Sequence, residues 1–117
     1  MQRRFKVLFV CSFNRERSPT AERVYRSDPR LDVRSGGTRS SAAHQVSEKD
    51  MDWADIVLVM EREHKQWLAK RFRAKKLPRI EVLDIPDEYG LMHPKLVENI
   101  RAAADPELEA ALGGLEI

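Results

Sequence analysis

A single α/β domain, with a parallel sheet covered by helices on both faces, is the fold this sequence predicts, and three observations predict it. At 117 residues the chain has room for one compact domain and one core, so residues 1–117 are expected to form a single unit. Short runs rich in β-branched and aromatic residues alternate with amphipathic stretches of helical spacing, the pattern of a parallel sheet joined by right-handed crossovers. The composition, 42% hydrophobic with 34% charged, lies in the ordinary globular range and excludes a disordered or membrane-spanning chain.

The first strand is predicted over 5–10, "FKVLFV", which ends abruptly in polar sequence as a buried strand feeding a turn does. In "RSPTAERVYRSD" Ser18 is placed to cap a helix, Pro19 to open it and Glu22 to face its first turn. Ala21, Val24 and Tyr25 fall on one face of that helix, and Asp28-Pro29 stops it. "LDVRSGGT", 31–38, reads as a short strand running into a glycine turn. "VSEKDMDWADIVLVM" reads as a helical turn capped by Ser47 with Asp50, followed by a strand over Asp55–Met60. "EREHKQWLAKRFRA" carries His64, Trp67, Leu68, Arg71 and Phe72 on one stripe of a helix that Pro78 closes. "RIEVLDIP" predicts a fourth strand over 79–85. A last helix from about Pro94 presents Leu96, Val97, Ile100, Ala103 and Ala104, and "DPELEAALGG" adds a final turn.

Charge and cysteine content narrow the partners. The formal charge of +2 is the remainder of 21 basic and 19 acidic residues and gives no reason by itself to expect a polyanion. The basic start resembles a signal peptide, but its apolar stretch is too short and no small-residue cleavage site follows. One cysteine forbids an intramolecular disulfide, which fits a reducing cytoplasm. No membrane is expected as partner.

The chemistry-bearing stretch is "CSFNRERS", 11–18, at the carboxyl end of the first strand, where α/β sheets place ligands. A strand, a tight loop and a helix start at Ser18-Pro19 turn several backbone N–H groups toward one point, a nest for tetrahedral oxyanions. Arg17 offers a planar fork for two phosphate oxygens. Cys11, on the floor, faces the anion from behind. A free thiol of pKa about 8.5 is only a few per cent ionised at neutral pH, and the helix end supplies at most ~2 kcal/mol toward ionising it. The loop amides, Arg17 and the Ser18 hydroxyl are therefore needed as well. A general acid is also required for an oxyanion leaving group, and "LDIPDEYG" offers Asp84, Asp87 and Glu88 at the end of a strand on the same side.

"VLFVCSFNRERSPTAE" resembles the phosphate loop of the low-molecular-weight protein tyrosine phosphatases, C-x5-R-S-P with Asn14 at the third variable position. "RSGGT", "ADIVLVMEREHKQWL" and "IPDEYG" are similar to that family's second strand, third strand with its helix, and acid loop, in the same order. The resemblance implies a flavodoxin-like, four-stranded three-layer sandwich and a phosphomonoesterase that works through a phosphocysteine without metal or cofactor. It implies Cys11 as nucleophile, Arg17 as phosphoryl grip, Ser18 as thiolate stabiliser and Asp87 as general acid. Ser12, Phe13, Asn14, Arg15, Glu16, Arg17 and Ser18 would line the substrate, with Tyr89 as an aromatic wall. Asn14 would hold the loop through hydrogen bonds to Ser35 or Ser41. The implied partners are a phosphotyrosine-bearing protein or a small phosphate ester, with inorganic phosphate or sulfate able to occupy the loop.

The chain departs from that pattern at Phe13, where the family has Gly, and at Glu16, where it has a second Cys. Phe13 is strained if its position needs positive φ; otherwise its ring shapes the pocket rim. Arg15, in place of a small or apolar residue, favours an acidic or doubly charged ester. Without a second Cys, oxidised Cys11 has no internal partner for a disulfide, and an arsenate-reducing relay cannot run within the chain. A phosphate-binding or sensing module with little turnover is the competing reading. "AKRFRAKK", 69–76, reads as the wet side of an amphipathic helix rather than a nucleic-acid surface, and His44, His64 and His93 lack metal-ligand spacing. Trp53 and Trp67 are expected to cover the sheet.

Overall fold

A computed structural model describes residues 3–115, with side chains as far as Gly113. Four strands, β1 (Phe5–Cys11), β2 (Leu31–Gly37), β3 (Ile56–Val59) and β4 (Arg79–Val82), form one all-parallel sheet in the order β2-β1-β3-β4. Helices α1 (Arg17–Tyr25), α2 (Glu48–Trp53), α3 (Arg62–Arg71) and α4 (Pro94–Leu115) connect and follow them. The chain leaves β1 for β2 on one side and returns for β3 on the other. The loop after β1 thus lies where strand order reverses, between the loops after β2 and β4.

The period-two alternation of β1 divides the core. Val7, Phe9 and Cys11 face α1 and α4, in a cluster with Ala21, Tyr25, Leu96, Ile100 and Ala104. Leu8 and Val10 face α2 and α3, in a cluster with Val46, Met51, Val57, Val59 and Leu68. Phe9 is fully buried and stacks on Tyr25 with centroids 5.6 Å apart, a burial contributing roughly 1.5–3 kcal/mol. The same alternation delivers Cys11 to the α1 face, buried to 3% exposure. Trp53 and Trp67 are half-buried against the second cluster.

Several sequence expectations need correction. Helix α1 begins at Arg17, with Glu16 at the cap position and no side-chain cap, so Ser18 lies inside the first turn and its hydroxyl serves elsewhere. Pro19 costs nothing there, because first-turn amides have no intrahelical acceptor in any case. Gly36 and Gly37 end β2 without positive φ, so they are not a glycine turn. Strand β4 stops at Val82; Asp84, at φ 57°, interrupts it, although the Leu83 and Ile85 amides still reach Val59 and Met60 carbonyls at 2.8 Å. Arg71 is exposed, off the buried stripe of α3. Helix α4 runs unbroken through Pro106. Leu96, Ile100, Ala104, Leu108 and Leu112 recur every fourth residue in one core cluster, and that burial outweighs the roughly 3 kcal/mol of an interior proline. The Ser47–Asp50 capping box is present as expected. Among the described residues no helix is long and apolar enough to cross a membrane.

Candidate active site

The loop after β1 owes its shape to what its carbonyls do. Those of Cys11, Ser12 and Phe13 accept from the amides of Thr38, Arg39 and Ala43 at 3.0, 3.0 and 3.1 Å. A peptide plane carries C=O and N–H on opposite edges, so the amides of Ser12, Phe13 and Asn14 are turned the other way, inward. The Asn14 amide meets the Cys11 Sγ at 3.3 Å. Those of Phe13, Arg15 and Glu16 donate to no protein atom among the described residues. Gly37 permits this arrangement: a Cβ there would stand 2.5 Å from the Ser12 carbonyl oxygen and 2.7 Å from the Ala42 Cβ.

A polar chain beneath the loop ends on the sulfur. Glu22 accepts the Ser35 hydroxyl proton at 2.6 Å, leaving the Ser35 oxygen to accept from Asn14 Nδ2 at 2.9 Å. The same Asn14 nitrogen donates to Ser18 Oγ at 2.9 Å. The single Ser18 proton then has two acceptors in reach, the Gly36 carbonyl at 3.2 Å and Cys11 Sγ at 3.0 Å. With a thiolate the proton turns to the sulfur; with a thiol it turns to the carbonyl and the S–H donates to the hydroxyl. Asn14 itself takes the left-handed conformation, φ 54°, which asparagine tolerates. Phe13 does not, so its ring is unstrained and sits 41% exposed at the rim. Ser41 is exposed and makes no bond to Asn14; Ser35 alone of the two anticipated serines holds it.

Arg17 is 3% exposed, and Nη1 donates to Glu61 Oε2 at 2.6 Å and to the Ile85 carbonyl at 2.8 Å. Its Nη2 meets no protein acceptor among the described residues, and Nε lies 3.9 Å from Asp87 Oδ1. Cys11, Ser12, Phe13, Arg15, Glu16, Arg17 and Asp87 line one cavity of about 150 Å³, ample room for a phosphoryl group. Asp84 and Tyr89 are not among its lining residues; Tyr89 stacks on His93 with centroids 4.7 Å apart and packs against the core.

Three contributors lie outside what the sequence reading assigned. Glu22 ends the polar chain, and Glu61 fixes Arg17 from the carboxyl end of β3. His64, 1% exposed, accepts the Glu61 amide at Nδ1, 3.0 Å away, so its proton is on Nε2 and is donated to Ser12 Oγ at 2.9 Å. Burial, and after it the Arg17 charge, lowers the His64 pKa to about 4, keeping it neutral. Donor atoms of Glu61, Glu63 and His64 lie within 4.8 Å of one another, but both His64 nitrogens and Glu61 are already engaged with protein groups. The signal for Glu61 and His64 was position: they follow a β-strand whose end lies beside that of β1.

No family model matches the chain, and no curated protein matches it in sequence. Solved structures do match. YfkJ from Bacillus subtilis aligns at 21% identity over 97% of this chain and 98% of its own, with a TM-score of 0.75. The low molecular weight protein tyrosine phosphatase SP-PTP from Streptococcus pyogenes aligns at 18% identity, 91% and 92% coverage and a TM-score of 0.72. The YwlE arginine phosphatase from Geobacillus stearothermophilus aligns at 24% identity, 90% and 94% coverage and a TM-score of 0.68. The chain therefore has, over nearly its whole length, the flavodoxin-like fold of the low molecular weight protein tyrosine phosphatases.

Proposed function

We propose that the protein is a phosphatase of the low-molecular-weight tyrosine phosphatase type, acting through a phosphocysteine without a metal. One observation carries the reading: Cys11 Sγ, with the Asn14 amide and the Ser18 hydroxyl within hydrogen-bond reach, forms the floor of a cavity that Arg17 and Asp87 also line. The tyrosine and arginine phosphatases among the similar structures support the same chemistry.

The phosphoryl group of a monoester sits against the loop amides and the Arg17 Nη2 edge. The Cys11 thiolate attacks phosphorus, the bond from phosphorus to the ester oxygen breaks, and Asp87 gives that oxygen its proton. Water then attacks the phosphocysteine, Asp87 takes the proton from water, the P–S bond breaks, and inorganic phosphate leaves with the thiolate restored. Glu61 keeps the guanidinium in one orientation throughout. The ligand classes that fit are a phosphorylated protein side chain and a small aryl phosphate, in the cytoplasm.

The test is hydrolysis of a chromogenic aryl phosphate by the wild type beside Cys11→Ser. Turnover in the first, and phosphate binding without turnover in the second, is expected. Phosphate binding with no turnover in the wild type would instead favour the phosphate-binding module.

A further inference from the structure

Among the described residues three large apolar side chains stand out as exposed, Phe13, Leu91 and Met92. All three belong to the loops around the cup, and they fall on its two sides. The loops after β2 and β4 lie on opposite sides of the loop after β1. Phe13 is on the β2 side, its carbonyl held by the Ala43 amide. The guanidinium carbons of Arg15 and Arg39 lie 5.8 and 5.7 Å from its ring centroid. Both arginines are exposed, and among the described residues neither forms an ion pair. Two like charges thus share one ring without a carboxylate between them.

The β4 side has the opposite character. Glu16 Oε2 lies 3.7 Å from where a Cβ on Gly90 would stand, so this carboxylate leans on the loop that carries exposed Asp87 and Glu88. Leu91 and Met92 follow directly. The rim is polarised: basic and aromatic on one side, acidic and apolar on the other.

We infer that the Arg15–Phe13–Arg39 edge is a binding subsite for a second negative charge on the substrate, and that its ligand is a phosphotyrosine-bearing protein segment with an acidic residue on that flank only. The inference rests on the phosphatase reading above and names the substrate class. Charge complementarity selects the acidic flank, and the carboxylates across the cup disfavour acid on the other. The exposed Leu91 and Met92 argue for a peptide over a nucleic acid. A polypeptide enters and leaves the cup and covers both sides, whereas a strand ending in the cup by its terminal phosphate leaves the apolar side bare.

The experiment measures binding of labelled phosphotyrosine peptides to the Cys11→Ser chain, so hydrolysis is not needed. Asp, Asn or Lys is placed next to the phosphotyrosine on one flank, then on the other. On one flank Asp is expected to bind about fivefold more tightly than Asn, and Lys more weakly, the scale of an exposed charge pair. The gain should shrink with added salt, fall in Arg39→Ala, which leaves Arg15 and keeps the backbone amide that holds Ser12, and be lost in Arg39→Glu. Equal affinities on both flanks, a preference that survives both Arg39 variants, or no phosphopeptide binding at all would overturn the subsite. So would tighter binding of a 5′-phosphorylated oligonucleotide that Arg39→Glu abolishes. The two readings separate cleanly. Aryl phosphate turnover without any flank preference keeps the phosphatase and removes the subsite; an Arg39-dependent preference without turnover does the reverse.

Discussion

The loop after β1 and the loop after β4 meet over one cavity, and they are built in opposite ways. The first is buried at Cys11, Ser12, Asn14, Arg17 and Ser18, with three carbonyls tied to the 38–43 segment and a polar chain from Glu22 to the sulfur beneath it. The second is exposed at Asp84, Pro86, Asp87 and Glu88, and Asp87, 57% exposed, touches Arg17 only at 3.9 Å. An anion seat works by being preorganised, since any rearrangement on binding subtracts from its hold on the transition state. A group that must give up a proton and then take one from water needs solvent access and some freedom. The contrast in burial fits that division of labour, and each difference can be broken separately.

The largest effect is expected from Gly37→Ala. The added Cβ would overlap a backbone carbonyl oxygen and the Ala42 side chain rather than a flexible tip, so the loop or the 38–43 segment must shift. A cost of about 1–3 kcal/mol is the usual scale of overpacking, and here it falls on the seat itself. Aryl phosphate turnover should drop to near background and phosphate affinity should fall with it. Retention of both would show that the close approach is not needed.

Asp87→Asn comes next. Removing a general acid typically costs about 10²-fold, more for a poor leaving group than for a good one. Rates measured across aryl phosphates of differing phenol acidity should therefore fan out in the variant. Asp84→Asn should leave them together, because Asp84 lies outside the cavity lining. Equal slowing of all esters by Asp87→Asn would remove it from the acid role.

How far the sequence reveals this contrast depends on range. Cys11, Arg17 and Ser18 are legible because a strand, a six-residue spacing and a helix start are local facts. The four-strand alternation is legible for the same reason. Ser18 as a helix cap was misread because its hydroxyl has better partners, Asn14, Gly36 and Cys11, and two of these are set by folding rather than by neighbourhood. Glu61 and His64 are some fifty positions from the residues they hold, 44 for Glu61 and 52 for His64, and no local pattern joins them. The final turn expected of "DPELEAALGG" is continuous with helix α4 through Pro106, because five buried positions at four-residue spacing outweigh the local rule against an interior proline.

The third prediction concerns pH and the buried side of the seat. The His64 pKa is about 4 in the folded chain, against an ordinary value of 6.5 once unfolded. The unfolded state therefore binds a proton the folded state refuses as pH falls below 6.5. Stability from this group is full above 6.5 and declines toward pH 4, by at most roughly 3 kcal/mol. Chemical denaturation at intervals over that range should show the decline in the wild type and a flatter profile in His64→Gln, whose amide can still donate to Ser12. An unchanged slope would mean that other groups carry it.

The smallest effect expected is at the hinge between the two loops. Thr20 Oγ1 donates to the Glu16 carbonyl at 2.6 Å and accepts the Met92 amide at 3.0 Å. It thereby joins the start of α1 to the segment just beyond Asp87. Met92 is in the left-handed region, φ 60°, a strained conformation for a non-glycine residue that this bond helps to hold. Thr20→Val keeps the shape and removes both bonds at a cost of about 1 kcal/mol or somewhat more, since the Met92 amide loses its acceptor. Because the seat is fixed by other residues, phosphate affinity should hardly move, while kcat for poor leaving groups falls a few-fold as Asp87 loses its anchored position. If phosphate affinity and kcat fall together, the two loops are one mechanical unit and the contrast between a fixed seat and a freer acid does not hold.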